Sequence, residues 1–151
     1  MRSTVDPSAV GCSIERALHV VGERWTFLIL REAHLGTTRF ADFRTALGIA
    51  SDVLAARLEK LVRVGVLERR DYRNQGERAR ADYHLTPSGV ELRLVLGALG
   101  QWGDDHLPLR DGSTCGRRNR RTGEDVRVAF VADPADALAI ADVTFTRPPT
   151  P

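Results

Sequence analysis

Cys12 stands where a predicted helix begins, just ahead of Ser13, Ile14 and Glu15. Free backbone N–H groups and the helix dipole favour a thiolate at such a start, and the thiolate is the form that reacts with oxidants, quinones and aldehydes. Glu15, one turn on, works against ionisation, and a buried cysteine is commonly an inert apolar residue, so sensing and plain packing both stand as readings. Cys115 is expected in a loop flanked by Arg117 and Arg118, which also favour a thiolate, and reads either as a reactive thiol or as a solvent-facing residue without a role. Trp25, Phe27 and Trp102 either line an apolar pocket for an effector or fill plain core. The four histidines, His19, His34, His84 and His106, show no i, i+4 pair and no Cys or Asp arrangement, so no metal is assigned. A phosphate-binding glycine loop, a nucleophile elbow and a paired-carboxylate motif are all missing, and neither an enzymatic reaction nor a cofactor is expected.

The elements that must position these residues follow from periodicity. Cys12 to Val21 and Arg24 to Leu35 read as two helices broken at Gly22, with Ile14, Leu18 and Val21 on one face and Trp25, Leu28 and Ile29 on another. Phe40 to Leu47 reads as a short helix closed by Gly48. The next begins at Ser51, whose hydroxyl is expected to cap it, and carries Leu54, Leu58, Leu61 and Val62 inward. Asp52, Val53, Ala56, Lys60 and Arg63 are then expected to face outward. Gly65 ends that helix, and Leu67 to Tyr72 and Ala81 to Thr86 pair as strands around a polar tip, Arg73 to Arg78. Pro87 opens a helix that runs to about His106, with Leu92, Val95, Leu96, Leu99 and Trp102 on one stripe.

Two short helices, a glycine turn and a basic hairpin are the parts, in order, of a winged helix-turn-helix, and that order points to DNA. The expected fold is mainly α with a β-hairpin wing and a small β-hairpin extension at the carboxyl end. Residues 1–11 are expected to form a flexible arm, 12–107 the DNA-binding and dimerisation domain, and 108–151 an irregular extension. Within that extension Leu107 to Gly123 is expected to be irregular. Val126 to Val131 and Asp142 to Phe145 are expected to pair as a hairpin, with Asp133 to Ala141 as a loop or one helical turn.

A length of 151 residues suits one core with an appendage. The net charge of +2 says little by itself, but Arg69, Arg70, Arg73, Arg78 and Arg80 crowd the wing. The arginines Arg117, Arg118, Arg120 and Arg121 form a second cluster, read as a solvated linker or as contacts to flanking DNA. The most apolar run, Trp25 to Leu30, is far short of the roughly 20 residues that a membrane span needs, and a cytoplasmic protein is expected.

The chain resembles the HxlR family of bacterial winged-helix transcription regulators, relatives of the MarR group. The likeness rests on Cys12, Ile14 and Glu15, then Gly22, Trp25, Thr26 and Phe27 to Arg31, then Arg39 and Phe40. It continues through Leu54, Arg57, Leu58, Leu61, Gly65 and Leu67, then Tyr83, Leu85, Thr86 and Gly89, to Trp102 and Gly103. The resemblance implies a homodimer whose first and last helices pack across a two-fold axis, through Ile14, Leu18, Leu92, Leu96, Leu99 and Trp102. It also implies a pseudo-palindromic duplex operator with half-sites about one helical turn, or a multiple of it, apart. Some members use a cysteine near Cys12 as a redox or electrophile sensor, and related regulators accept hydrophobic effectors. This chain departs from the pattern at Ala50, where serine is frequent, at Asp52, where asparagine or a basic residue is frequent, and in a longer wing.

The expected DNA contacts are Arg39, Ser51, Asp52, Val53, Ala56, Arg57 and Lys60 from the helices, with Arg73, Asn74, Arg78 and Arg80 from the wing. Asp52 is expected to affect base preference more than affinity, since a carboxylate accepts from a cytosine amino group. The resulting reading is a dimeric, sequence-specific regulator, most simply a repressor, relieved by thiol modification or a small apolar ligand. The alternative is a protein-interaction or drug-sequestering module that has lost operator binding.

Overall fold

The computed structural model describes residues 11–72, 80–110 and 115–147. The chain folds as α1 (Ser13–Val21), α2 (Arg24–His34), α3 (Phe40–Leu47), α4 (Ser51–Arg63), β1 (Leu67–Tyr72), β2 (Arg80–Leu85) and α5 (Pro87–His106). An extension follows with β3 (Gly116–Asn119), two short 3-10 turns and β4 (Val143–Thr146). Expectations for residues 1–10 and for the hairpin tip, Arg73, Asn74 and Arg78 included, lie outside the described residues.

Three helices and the hairpin share one core. Ile29 and Leu30 of α2, Phe43 of α3, Leu54, Leu58 and Leu61 of α4, and Leu67 of β1 are all essentially inaccessible to solvent. The i, i+4, i+7 spacing of the three α4 leucines places them on one side of a helix with 3.6 residues per turn, which turns its other side outward. Gly48 makes the corner between α3 and α4 in a left-handed conformation, φ 60°, which a side chain would disfavour, and its N–H closes α3 on the Arg44 carbonyl at 2.9 Å. β1 and β2 pair antiparallel from Leu67↔Leu85 to Tyr72↔Arg80. The α2–α3 link adds a short third edge, where the Tyr83 N–H donates to the Thr38 carbonyl at 2.8 Å and Arg39 bridges Asp82. Thr86 caps α5 by accepting from the Gly89 N–H, and Pro87 occupies the first turn. Gly89 is the point where α5 crosses the hairpin base, and a Cβ there would lie 2.2 Å from the Val66 carbonyl oxygen.

The extension departs from expectation. A strand does form at Val143–Thr146, but its partner is Gly116–Asn119, within the stretch expected to be irregular, in the register Gly116↔Thr146 to Asn119↔Val143. Val126 to Val131 forms no strand among the described residues; Val126 gives its N–H to the Arg117 carbonyl at 2.9 Å, and Val128 is gripped by the Gln101 side-chain amide through bonds of 2.8 and 3.0 Å. The sequence Gly116 to Asn119 carries no apolar alternation, because β3 is held by charge: both terminal nitrogens of Arg117 donate to Asp104 Oδ2 of α5 at 3.1 Å. Gly97 of α5 is buried beneath this layer, with a Cβ position 3.3 Å from Val128 and 4.0 Å from Phe145.

Candidate nucleic-acid interface

At 100° per residue, the outward arc of α4 carries Ser51, Asp52, Ala55, Ala56, Glu59 and Arg63, all exposed. The two alanines make this face slim. It stands beside the hairpin, where Arg80, Arg69 and Arg70 are exposed, and beside Arg39, whose guanidinium lies 5.9 Å from the Tyr72 ring centroid.

Several expected roles change. The cap position of α4 is held by Ala50, no side chain bonds the free N–H groups there, and the Ser51 hydroxyl instead accepts from Arg44 at 3.4 Å. Serine at the first helical position points its oxygen away from the N–H groups that a capping oxygen must reach, which explains the correction. Val53 is half-buried and packs on the core rather than facing outward. Arg57 and Lys60 share an acid in the single chain: Lys60 Nζ lies 3.2 Å from Glu23 Oε1, and Arg57 pairs with Glu23 Oε2. At 100° per residue Arg57 lies roughly 160° and Lys60 roughly 100° round the helix from the middle of the exposed arc, on the side that meets the start of α2. Asp52, Ala56, Arg39 and Arg80 are exposed, as a contact role requires. Ala55, Glu59 and Arg44 join this surface without having been anticipated. For Arg44 the signal was available, since a basic residue late in the first helix of the motif lies at the amino end of the second.

The residues considered for effector chemistry separate in space. Cys12 is exposed at the amino end of α1. Cys115 is half-buried, and burial pushes its thiol pKa up while Arg31, Arg117 and Arg147 pull the other way. The expected aromatic pocket does not assemble: Phe27 lines a cavity, but Trp102 is exposed and stacks on His106 at 4.9 Å, and Trp25 packs on the core with Arg24 over its ring. The expected dimer stripe divides as well. Leu92 and Leu96 are turned onto the core, whereas Leu99 and Trp102 of α5 and Ile14 and Leu18 of α1 remain 51–70% exposed.

Two buried ionisable residues escaped sequence reading. Glu32 is 1% exposed. Burial pushes its carboxyl up, but hydrogen bonds and charge from Arg147 and Arg31 outweigh this and hold its pKa below the usual value. His34 Nδ1 accepts from Arg93 Nε at 3.3 Å, and burial followed by the Arg93 charge pushes its pKa down to about 4. Arg93 also donates to the Ile140 and Val143 carbonyls at 2.9 and 2.8 Å, so this pair anchors the extension on the core. A charged residue inside a helix pattern gives no sign of burial when its partner is more than a hundred residues away.

Residues 20–111 match the family model described as HxlR-like helix-turn-helix. The chain belongs to that family. It is 44% identical over 114 residues to the uncharacterized HTH-type transcriptional regulator Rv3095 of Mycobacterium tuberculosis, covering 76% of this chain and 71% of that one. The crystal structure of PA1607, described as a candidate transcription factor, superposes with a TM-score of 0.74 at 36% identity and covers 88% of this chain and 92% of its own. The redox regulator HypR in its reduced form superposes with a TM-score of 0.59 at 25% identity, over 64% of this chain and 94% of its own. This HxlR-type chain is thus a winged helix-turn-helix transcription regulator with a DNA-binding domain, and α4 is the second helix of its helix-turn-helix. No helix among the described residues is long and apolar enough to cross a membrane.

Proposed function

We propose that the protein is a homodimeric regulator that represses transcription by placing two α4 helices in successive major grooves of a pseudo-palindromic operator. The observation that carries this reading is the slim α4 face around Ala55 and Ala56 beside an arginine-bearing hairpin: a major groove is wide enough for such a helix, while flanking arginines meet phosphates. In this reading Asp52 and Glu59 face base edges and accept from cytosine amino groups, and Arg39, Arg44, Arg63, Arg80 and the wing residues Arg73, Asn74 and Arg78 hold the backbone. The exposed apolar side chains of α1 and α5 supply the dimer seam, because a lone domain gains nothing by leaving them in water.

Cys12 is the proposed sensing thiol. It is exposed at the cap of the helix that carries Ile14 and Leu18, so adding bulk there would act on the seam and on the spacing of the two recognition helices. The redox regulator HypR among the structural neighbours is in keeping with this. The two carboxylates on the α4 face support one other reading, a winged helix that binds a basic protein surface in place of DNA. Fluorescence anisotropy of labelled random-sequence duplex at 50 to 200 mM salt separates them. DNA binding predicts log Kd rising linearly with log salt, because phosphate neutralisation releases counterions. Absence of duplex binding at the lowest salt would rule out the DNA reading.

A further inference from the structure

The extension does more than cover α5; together with α2 and α5 it borders a half-open cavity of about 420 Å³. Phe27 and Leu28 of α2 and Leu96 and Leu99 of α5 form its apolar wall, while Cys115, Arg117, Phe145 and Arg147 come from the extension. That volume lies in the range of small-molecule sites. Its second wall is cationic. Arg31 Nη2 and Arg147 Nη2 share the single buried carboxylate of Glu32, at 2.9 and 2.7 Å. Arg117 spends both terminal nitrogens on Asp104, and its Nε is buried with no acceptor among the described residues. Three guanidiniums therefore face two carboxylates, which leaves one positive charge in excess beside an apolar wall.

We infer that this cavity is a binding site for a small monocarboxylate with an apolar body, the acid meeting the Arg31, Arg117 and Arg147 cluster and the body lying against Phe27, Leu28, Leu96 and Leu99. A carboxylate oxygen accepts from guanidinium groups in strong charge-assisted bonds, and a monocarboxylate supplies the one negative charge that the cluster lacks. Most of the polar half lies in residues 115–147, beyond the matched family region, so the ligand class is a property of this extension. As the effector site of the regulator it rests on the function proposed above. Leu99 supplies the link, since it lines the cavity and also belongs to the exposed α5 stripe, so a ligand bears on a side chain of the proposed dimer seam.

Isothermal titration calorimetry of the full chain with 1-naphthoate, and with its neutral isostere 1-naphthamide, tests the site without any substitution. The acid should bind at least ten-fold more tightly than the amide. Arg31→Gln and Arg147→Gln, at side chains open to solvent, should each reduce that preference, and together abolish it, in protein whose melting curve remains cooperative. Equal binding of acid and amide, or an acid preference that survives the double substitution, overturns the proposal. Acid binding by a protein that ignores duplex DNA would sink the regulatory reading and leave the site standing, whereas duplex binding without acid preference would do the reverse.

Discussion

The ammonium group of Lys60 on α4 lies 3.2 Å from the carboxylate of Glu23 at the start of α2. Arg57 joins the same carboxylate from the other side, so one acid restrains both basic side chains in the middle of the helix proposed to read DNA. Neutralising that acid should free them. Glu23→Gln is expected to raise affinity for random duplex and to steepen the salt dependence by up to about 2 in log–log slope per subunit, close to one for each cation released to phosphate. Anisotropy titrations across salt concentrations measure this, and an unchanged slope would place the two side chains out of reach of the backbone.

Phosphate contacts should instead come from the flanks of α4. Replacing Arg44, Arg63 and Arg80 together by glutamine is expected to weaken binding to all sequences alike and to lower the salt slope by about 2 to 3 per subunit, while Arg57→Gln with Lys60→Gln changes it little. Asp52→Asn should leave the slope in place and alter base preference in a selection from random duplex. An equal slope in native protein and the Arg44, Arg63, Arg80 variant would exclude this surface.

The two kinds of α5 leucine predict opposite failures. Trp102→Glu with Leu99→Glu should give a folded monomer, because both side chains are exposed in the single chain. Leu92→Ala, at a half-buried residue packed on the core, should cost about 2 kcal/mol in a denaturant titration without dissociating the dimer first. Light scattering at micromolar concentration decides the first point, and a native chain that runs as a monomer refutes the seam.

Acid should loosen the protein through His34. Its folded pKa of about 4 lies below the ordinary value, so the folded state keeps the imidazole neutral while the unfolded chain takes up a proton below about pH 6.5. Its contribution is therefore present above pH 6.5 and is lost as pH falls toward 4, at up to about 1.4 kcal/mol per pH unit. Glu32, with its carboxyl held low, adds a loss in the same direction at the acid end. In urea titrations between pH 7 and 4.5, His34→Gln should show a shallower decline than the native protein; parallel declines would count against this assignment.

Treatment with a quinone should reduce duplex binding by the native protein and by Cys115→Ser, and spare Cys12→Ser. Cys12 is exposed, whereas burial pushes the Cys115 thiol up and keeps it in its unreactive form near neutrality. Equal loss in all three proteins, or none in any, would remove Cys12 from signalling.

Periodicity and punctuation by themselves determined the winged helix-turn-helix. The leucine spacing of α4, the glycines at 48 and 65 and the Thr86–Pro87 start of α5 are local signals, each carrying its physical reason within a few residues of chain. Exposure at Asp52 and Ala56 was legible for the same reason, since the 3.6-residue repeat separates inward from outward positions. Tertiary structure alone decided the rest. Whether Lys60 faces a groove or an acid depends on where α2 brings Glu23, and whether Leu96 faces a partner or the core depends on how α5 crosses the hairpin at Gly89. The extension was the least readable part because polar side-chain contacts between separate elements hold it: the ion pairs of Arg147 with Glu32 and Arg117 with Asp104, and the hydrogen bond from Arg93 to the Ile140 carbonyl. Such pairs leave no periodic trace, and only the folded chain shows that two of them border a cavity.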